Sequence, residues 1–421
     1  MKQPTRFARS TLSTLVLVLG LICQASPAQA DDKHVLLTGQ VMLQHKLATY
    51  DAPEFANNVE LQKIRHQLDQ VFAVMRSSDT VILELESALK IGAERVTEPG
   101  RDKDSDFFHE VDGDSIVDLI TQKIRFAPNQ VMFTAANNHV SDNGVAGITS
   151  LITLFQDLKI PLAGVGDETA ASAARYLPVK SINSMKSSKL PGQQLTSVAL
   201  LAFATDKVKL QAKKTSVGVN TLSVADDAAN TINSDDLQRI EHSIAEARKQ
   251  QAMVIAYHHN HHWNQKQVNT AGGIEQWRID FAHRCIERGA DVYFAHGEPR
   301  LQGIEIYRGK PIFYGLGNFF FQTRKLNFYQ SEVWESVMAE LEYDDLNPQA
   351  IKSIKLTPVV LNEHGAEPVF MQTRGLPALA NSAQARKILV TLQSLSEKFA
   401  TRIDIDDRNP AAIVGRIHIA N

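Results

Sequence analysis

Five short strings hold most of the residues able to do chemistry: Gly39-Gln40, Glu84-Leu85-Glu86, Asn137-Asn138-His139, His258-His259-Asn260-His261-His262 and Ala295-His296-Gly297. Each closes a short apolar run, so each reads as the C-terminal end of a β-strand, where α/β sheets bind ligands. Six of the 14 histidines lie in these strings. Imidazole, carboxylate and amide oxygen together suit a divalent transition metal such as Zn, Mn or Fe. Such an ion assists attack at a phosphoryl or carbonyl centre as a Lewis acid. Taken singly, each string has a plain structural reading. Gly39-Gln40 makes a turn, Glu86 is a surface carboxylate, and Asn138-His139 cap a helix starting near Asp142. The histidine run is a solvated tract, and His296 is a satisfied core residue. Their recurrence at successive strand ends is what points to one site. No P-loop, nucleophile elbow or dinucleotide-binding glycine pattern follows a strand.

The elements that must position these strings alternate between two periodicities. Strands are expected over 34–39, 80–85, 130–135, 197–204, 253–257, 291–295, 303–307 and 310–313, with a strand and turn over 160–166. Leu61, Ile64, Leu68, Val71, Phe72 and Met75 recur at helical spacing. Further helices are expected over 115–124, 145–158, 237–250 and 274–288. Residues 90–114 are charged and read as a solvated loop, and 181–235 is the most insertion-like stretch. Beyond 330 the pattern is two strands (333–343, 350–358), a helix (382–399) and a last strand (412–420). Alternating strands and helices with apolar strands argue for an α/β layered core. Residues 31–330 form that core, and 331–421 read as a β-rich C-terminal extension completing the domain or as a small lobe.

The N-terminus reads as an export signal. Lys2, Arg6 and Arg9 precede an apolar run from Leu12 to Cys23, and Ala28-Gln29-Ala30 has the small-x-small cleavage pattern. The run is about 12 residues, short of the ~20 that cross a bilayer. Residues 1–30 are therefore expected to be a cleaved signal peptide, leaving a periplasmic or secreted chain with no stable membrane span. Cleavage moves the net charge from −3 to −6 and leaves Cys285 as the lone thiol, expected to be buried and inert. Across the 421 residues, 43% hydrophobic and 22% charged is ordinary globular composition, which excludes a disordered or fibrous chain. The near-balanced charge does not suggest nucleic-acid binding.

The ordered strings LLTGQVML, ILELESAL, TAANNHVSDNGVAGITSLITLFQDLKIPLAGVG, VIAYHH and RGADVYFAHGEPRLQGIEIYRGKPIFYGLGNFFFQ resemble those of the CapA family. These are poly-gamma-glutamate (capsule) biosynthesis proteins with a metallophosphatase-like fold. The resemblance runs from about Val35 to Gln322. It implies metal ligands at Glu86, Asn138, His258 and His296, with His259 a rival to His258. It implies a proton donor at His139, with Asp142 orienting it. The family usually has Gly-Asp where this chain has Gly39-Gln40, and a final histidine where it has Pro299. Both losses fall on one metal of the two-metal plan, so the resemblance implies one divalent ion (Mn, Zn or Fe) and argues against a second. His261 and His262 stand as substitutes for a lost ligand.

Two functions from different classes follow. One is a non-catalytic assembly or binding component for capsule-type polymer, working with an anionic polymer or envelope assembly proteins. The other is a single-metal hydrolase or transferase acting on an anionic, polymer-related substrate. A net negative chain needs a local positive patch to hold a polyanion. Arg300, Arg308, Lys310, Arg324 and Lys325 flank the later strings, although scattered surface charge needs no function.

Overall fold

The computed structural model describes residues 32–47, 52–92, 109–178, 197–262, 273–344 and 347–419. The expected signal peptide and residues 181–196 of the insertion-like stretch lie outside them. In chain order the strands are β1 (Asp32–Met42), β2 (Thr80–Leu85), β3 (Val131–Thr134), β4 (Leu162–Ala163), β5 (Arg175–Pro178), β6 (Ser197–Thr205), β7 (Met253–Asn260) and β8 (Val292–His296). There follow β9 (Ile304–Tyr307), β10 (Lys310–Phe313), β11 (Asn318–Phe321), β12 (Glu335–Asp344), β13 (Asn347–Leu361), β14 (Asp404–Asp406) and β15 (Val414–His418). The main helices are α1 (Val59–Ser77), α2 (Gly144–Asp157), α3 (Ser234–Arg248), α4 (Gln276–Glu287) and α5 (Ser382–Ser396).

The strands form two large sheets in a mixed α/β architecture. The ten-stranded sheet runs β14-β15-β13-β12-β1-β2-β3-β4, with β11 beside β1 and Pro377–Leu379 beside β13. The six-stranded sheet runs β9-β10-β8-β7-β6-β5. At the heart of each the strands are parallel: β1 with β2 and β2 with β3, and β6 with β7 and β7 with β8. Parallel strands are covered on both faces, which is why they read as unbroken apolar runs. Residues 331–421 add β12 directly to β1, antiparallel from Asp32↔Asp344 to Leu37↔Ala339. Residues Asp31–Asn421 form one compact unit.

Side chains alternate between faces along a strand, and the six-stranded sheet sorts cleanly by that rule. Val198, Leu200, Met253, Ile255, Tyr257, Val292 and Phe294 join the core shared with β1, β2 and β3. Ala199, Leu201, Phe203, Val254, Ala256, Tyr293 and Ala295 pack instead with Ile240 and Ile244 of α3 and Trp277, Phe281 and Cys285 of α4. Cys285 is buried there, and burial raises its thiol pKa far above the ordinary range.

Most expected elements are present within a few residues. α1 buries the six apolar side chains that its periodicity singles out. Three details differ. Residues 109–111 are not solvated loop: His109 and Val111 are buried, and Glu110–Val111 pairs with Ala88–Leu89. Residues 113–124 are an α-helical turn followed by a π-helical one, Leu119–Ile124. β11, whose Phe319, Phe320 and Phe321 are all buried, was not expected from the pattern because its glycine-rich approach reads as turn.

Candidate metal centre and its flanking dyad

The C-terminal ends of β1, β2 and β3 and those of β7 and β8 deliver their polar residues to one place. β2 supplies Glu84 and, just past its end, Glu86, two positions apart and so on one face. Both are buried. Burial, above all else, raises each carboxyl to about 8, opposed at Glu84 by hydrogen bonds from Asn137 and Tyr257 and at Glu86 by nearby His259.

β7 supplies the imidazole that meets them, and it is His259. Its Nε2 lies 3.0 Å from Asn138 Oδ1 and 3.5 Å from Glu86 Oε1. Its Nδ1 lies 3.2 Å from Glu84 Oε1 and 3.3 Å from the Tyr257 hydroxyl. Ligand atoms of Glu86, His259 and His261 all fall within 4.8 Å of one another. His258, the residue favoured from the resemblance, is turned away because strand alternation sends it to the helix side. There its Nε2 meets Thr205 Oγ1 at 2.7 Å and its Nδ1 meets the Tyr293 hydroxyl at 2.6 Å, among Phe203, Trp277 and Phe281. His262 is also directed elsewhere, with Nε2 at 2.8 Å from Asn230 Oδ1. The histidine run is thus a strand end and not a solvated tract.

His296 lies opposite His259 in the β7–β8 register and shares its face. It is outside the tight triad. Both its ring nitrogens are buried and make no hydrogen bond to a described residue, and burial, then His259, pushes its pKa down to about 3. Gly297 follows at φ +112°, where a Cβ would sit 1.8 Å from Asn260 O, so only glycine closes this turn. Its N–H donates to Gln40 Oε1 at 2.7 Å, and Gln40 Nε2 donates to Glu86 Oε2 at 2.6 Å. Gln40 is therefore a neutral cross-link between the central carboxylate and the β8 turn.

β3 delivers the second functional feature. Asn137, fully buried, bonds Glu84 Oε1 and Leu85 O through its amide N–H groups, and its Oδ1 accepts the backbone N–H of His139 and Val140. The local cap is thus Asn137, and helix α2 begins only at Gly144. Held this way, His139 places Nδ1 2.9 Å from Asp142 Oδ2 and turns Nε2 toward Glu86 Oε1 at 4.0 Å. His109 stacks edge-on against His139 at 4.7 Å and is bonded at Nδ1 by the Gln44 amide.

Three residues escaped the sequence reading. Glu84 lies two positions before Glu86, a spacing that puts both on one face. His109 fell in a stretch read as loop. Tyr257 has the parity of His259, a signal that was present but unused. Three of the five basic residues offered as a patch are paired with acids: Arg308 with Glu287 at 2.9 Å, Lys310 with Asp291 at 2.6 Å and Arg300 with Glu298 at 3.5 Å.

Residues 34–323 match the family model described as "Bacterial capsule synthesis protein PGA_cap". Among similar proteins, the uncharacterized protein y4sH of Sinorhizobium fredii is 28% identical over 354 residues, covering 65% of this chain and 74% of that protein. The PGA biosynthesis protein CapA of Bacillus subtilis is 27% identical over 194 residues, 46% of this chain and 43% of that one. The capsule biosynthesis protein CapA of Bacillus anthracis is 26% identical over 219 residues, 51% and 47%. The alignments thus span about half the length of these two CapA proteins. The family match covers most of the chain and takes in every residue of the site above, so the chain belongs to the bacterial capsule synthesis protein family, whose fold is metallophosphatase-like.

Proposed function

We propose that this chain is an exported component of capsule- or poly-glutamate-type polymer biosynthesis and that it carries a single-metal centre for hydrolysis or group transfer. One observation carries the catalytic part. Ligand atoms of Glu86, His259 and His261 lie within 4.8 Å of one another, with Asn138 Oδ1 3.0 Å from His259 Nε2, where strand ends of both sheets meet. Glu86, His259, His261 and Asn138 would hold a Mn, Zn or Fe ion, a mixed N/O set suited to those metals. A divalent ion there supplies Lewis-acid polarisation of a phosphoryl or carbonyl oxygen.

The chain's own residues do the rest. Asp142 fixes the ring and tautomer of His139 through Nδ1, so that Nε2 presents its proton toward the centre for a leaving group. Glu84 does the same for His259 from behind. His109, pinned by Gln44, closes the free edge of His139. Export rests on the N-terminal segment read above. Among the described residues no helix is long and apolar enough to cross a membrane.

The test loads the purified protein with Mn and offers it bis(p-nitrophenyl) phosphate and poly-gamma-glutamate. Turnover of either is expected, with His139→Gln and Asp142→Asn each losing about 100-fold or more at unchanged metal content. A loaded protein that turns over neither would overturn the catalytic reading. It would favour the second one, a binding component, for which the observation is Gln40: a neutral cross-link stands where a two-metal centre needs an anionic ligand.

A further inference from the structure

A second cavity, of about 280 Å³, opens beside the dyad. His45, Lys46, Lys90 and Arg324 line it, together with Gln44 and the acids Glu110 and Asp112. Gln44 joins the two places, since the amide that lines this cavity also bonds His109, which packs on His139. The wall is held in position before any ligand arrives. Buried Gln322 accepts the backbone N–H of both Gln44 and His45 at 2.8 Å and donates to Gln372 O at 3.1 Å.

Two independent features mark the cavity as built for a ligand. The first is His45, whose Nε2 is buried and makes no hydrogen bond to a described residue. A polar atom left so costs stability, which a ligand would restore. Burial, then nearby Arg324, lowers the pKa of His45, so its ring is neutral and free to donate or accept. The second is the charge balance. Lys90 and Arg324 make no ion pair among the described residues. Asp112 accepts the Ser115 N–H at 2.8 Å and hydroxyl at 2.9 Å and keeps its charge. Lys46, Lys90 and Arg324 outnumber Glu110 and Asp112 by one, and neutral His45 stands among them. The acids that remain disfavour a densely charged polyanion and suit a single anionic group.

We propose that this cavity is an anion subsite, which holds one carboxylate or phosphate of the molecule whose reacting group sits at Glu86, His259 and His261. The position of the reacting group rests on the function proposed above; the anion binding does not. Occupancy would place the reacting group next to His139 and select substrates by an anionic group beside the scissile bond.

The test titrates the mature chain with glutarate and, separately, inorganic phosphate, with neutral glutaramide as control. Binding is followed by calorimetry and by the NMR signals of the His45 ring. At least one anion is expected to bind saturably and shift His45, while glutaramide does not. Saturation by glutarate alone assigns a carboxylate, and by phosphate alone a phosphate. The double variant Lys90→Gln with Arg324→Gln should weaken binding about tenfold or more, while Arg308→Gln, at a residue paired with Glu287 and outside the cavity lining, leaves it unchanged. Circular dichroism confirms that each variant is folded. Anion binding in a protein that takes up no metal would still support the subsite, although the metal reading would fall. No shift of His45 with either anion, or equal affinity in the folded double variant, would overturn it.

Discussion

The two faces of the six-stranded sheet put the same residue type to opposite uses. His258 and His259 are neighbours in β7, both buried to completion. On the helix side, the two ring nitrogens of His258 each have a hydroxyl partner, and aromatic rings fill the space around them. On the inter-sheet side, His259 meets two carboxylates, an amide oxygen and a second imidazole. Burial is the leading cause of a lowered pKa at both histidines, so neither burial nor pKa separates them. What separates them is the chemistry of their partners. One face surrounds its histidine with hydroxyls and aromatic rings, and the other with carboxylates, an amide oxygen and a second imidazole.

The largest effect that would break this comparison is on metal binding. His259→Ala should lower affinity for Mn or Zn by about 100-fold or more, because it removes a ligand and not an outer partner. His258→Ala should keep the metal and instead lower stability by about 2–3 kcal/mol, since it strands two buried hydroxyls. Metal analysis after dialysis, with thermal unfolding alongside, reads both. Equal metal loss in a folded His258→Ala protein would mean that the two faces are not functionally distinct.

The pair also shows what the sequence could and could not tell. β7 is apolar on both faces, so alternation alone does not say which parity looks toward the other sheet. That depends on Tyr257 and Phe294 packing against β1 and β2, a contact between residues far apart in the chain. The same limit explains His109, which is buried by pairing of residues 110–111 with 88–89. By contrast, the buried face of α1 and the bounds of β2 are legible in the sequence, because six apolar positions at helical spacing and one unbroken apolar run leave little choice. The pairing of Asp142 with His139 is implied by the family resemblance, and the structure sets the two atoms 2.9 Å apart. Gln40 was recognised as a departure, but its role as a cross-link to Gly297 depends on a partner 257 positions away.

The next effect sharpens the comparison through pH. Glu84 and Glu86 sit at about 8 in the folded protein, raised from an ordinary 4.5. Between those values the folded chain holds protons that the unfolded chain has lost, so stability falls as pH rises through the window. His296 works in the opposite sense, at about 3 against an ordinary 6.5. Below 6.5 the unfolded chain gains a proton that the folded one refuses, so stability is lost as pH falls. The two trends oppose each other below 6.5, and only the carboxyl trend remains from there to about 8. Metal-free protein should therefore lose up to about 2–4 kcal/mol over that upper range. Added Mn should reverse the slope, because a cation replaces the protons. Denaturant unfolding at several pH values, with and without Mn, checks this. A flat metal-free profile above 6.5 would show that the carboxylates are not held protonated.

The smallest expected effect concerns Gln40, which links the candidate centre to the β8 turn. Its amide satisfies two groups at once, taking the Gly297 N–H and donating to Glu86. Gln40→Asp shortens the side chain by one carbon, removes the donor to Glu86 and places a second negative charge beside it. The charge invites a cation, but Pro299 still offers no donor on the far side, and one carboxylate does not hold a transition metal tightly. The single variant should therefore keep the wild-type stoichiometry of tightly held metal after dialysis and change the first site's affinity by less than about threefold, roughly 0.7 kcal/mol. Only the double variant Gln40→Asp with Pro299→His should retain additional metal, because it restores an anionic and an imidazole donor together. Elemental analysis of the three proteins decides the matter. Extra metal already present in Gln40→Asp would mean that His296, with both nitrogens free of hydrogen bonds to described residues, supplies the missing donor and that the second side is closer to complete than its sequence implies.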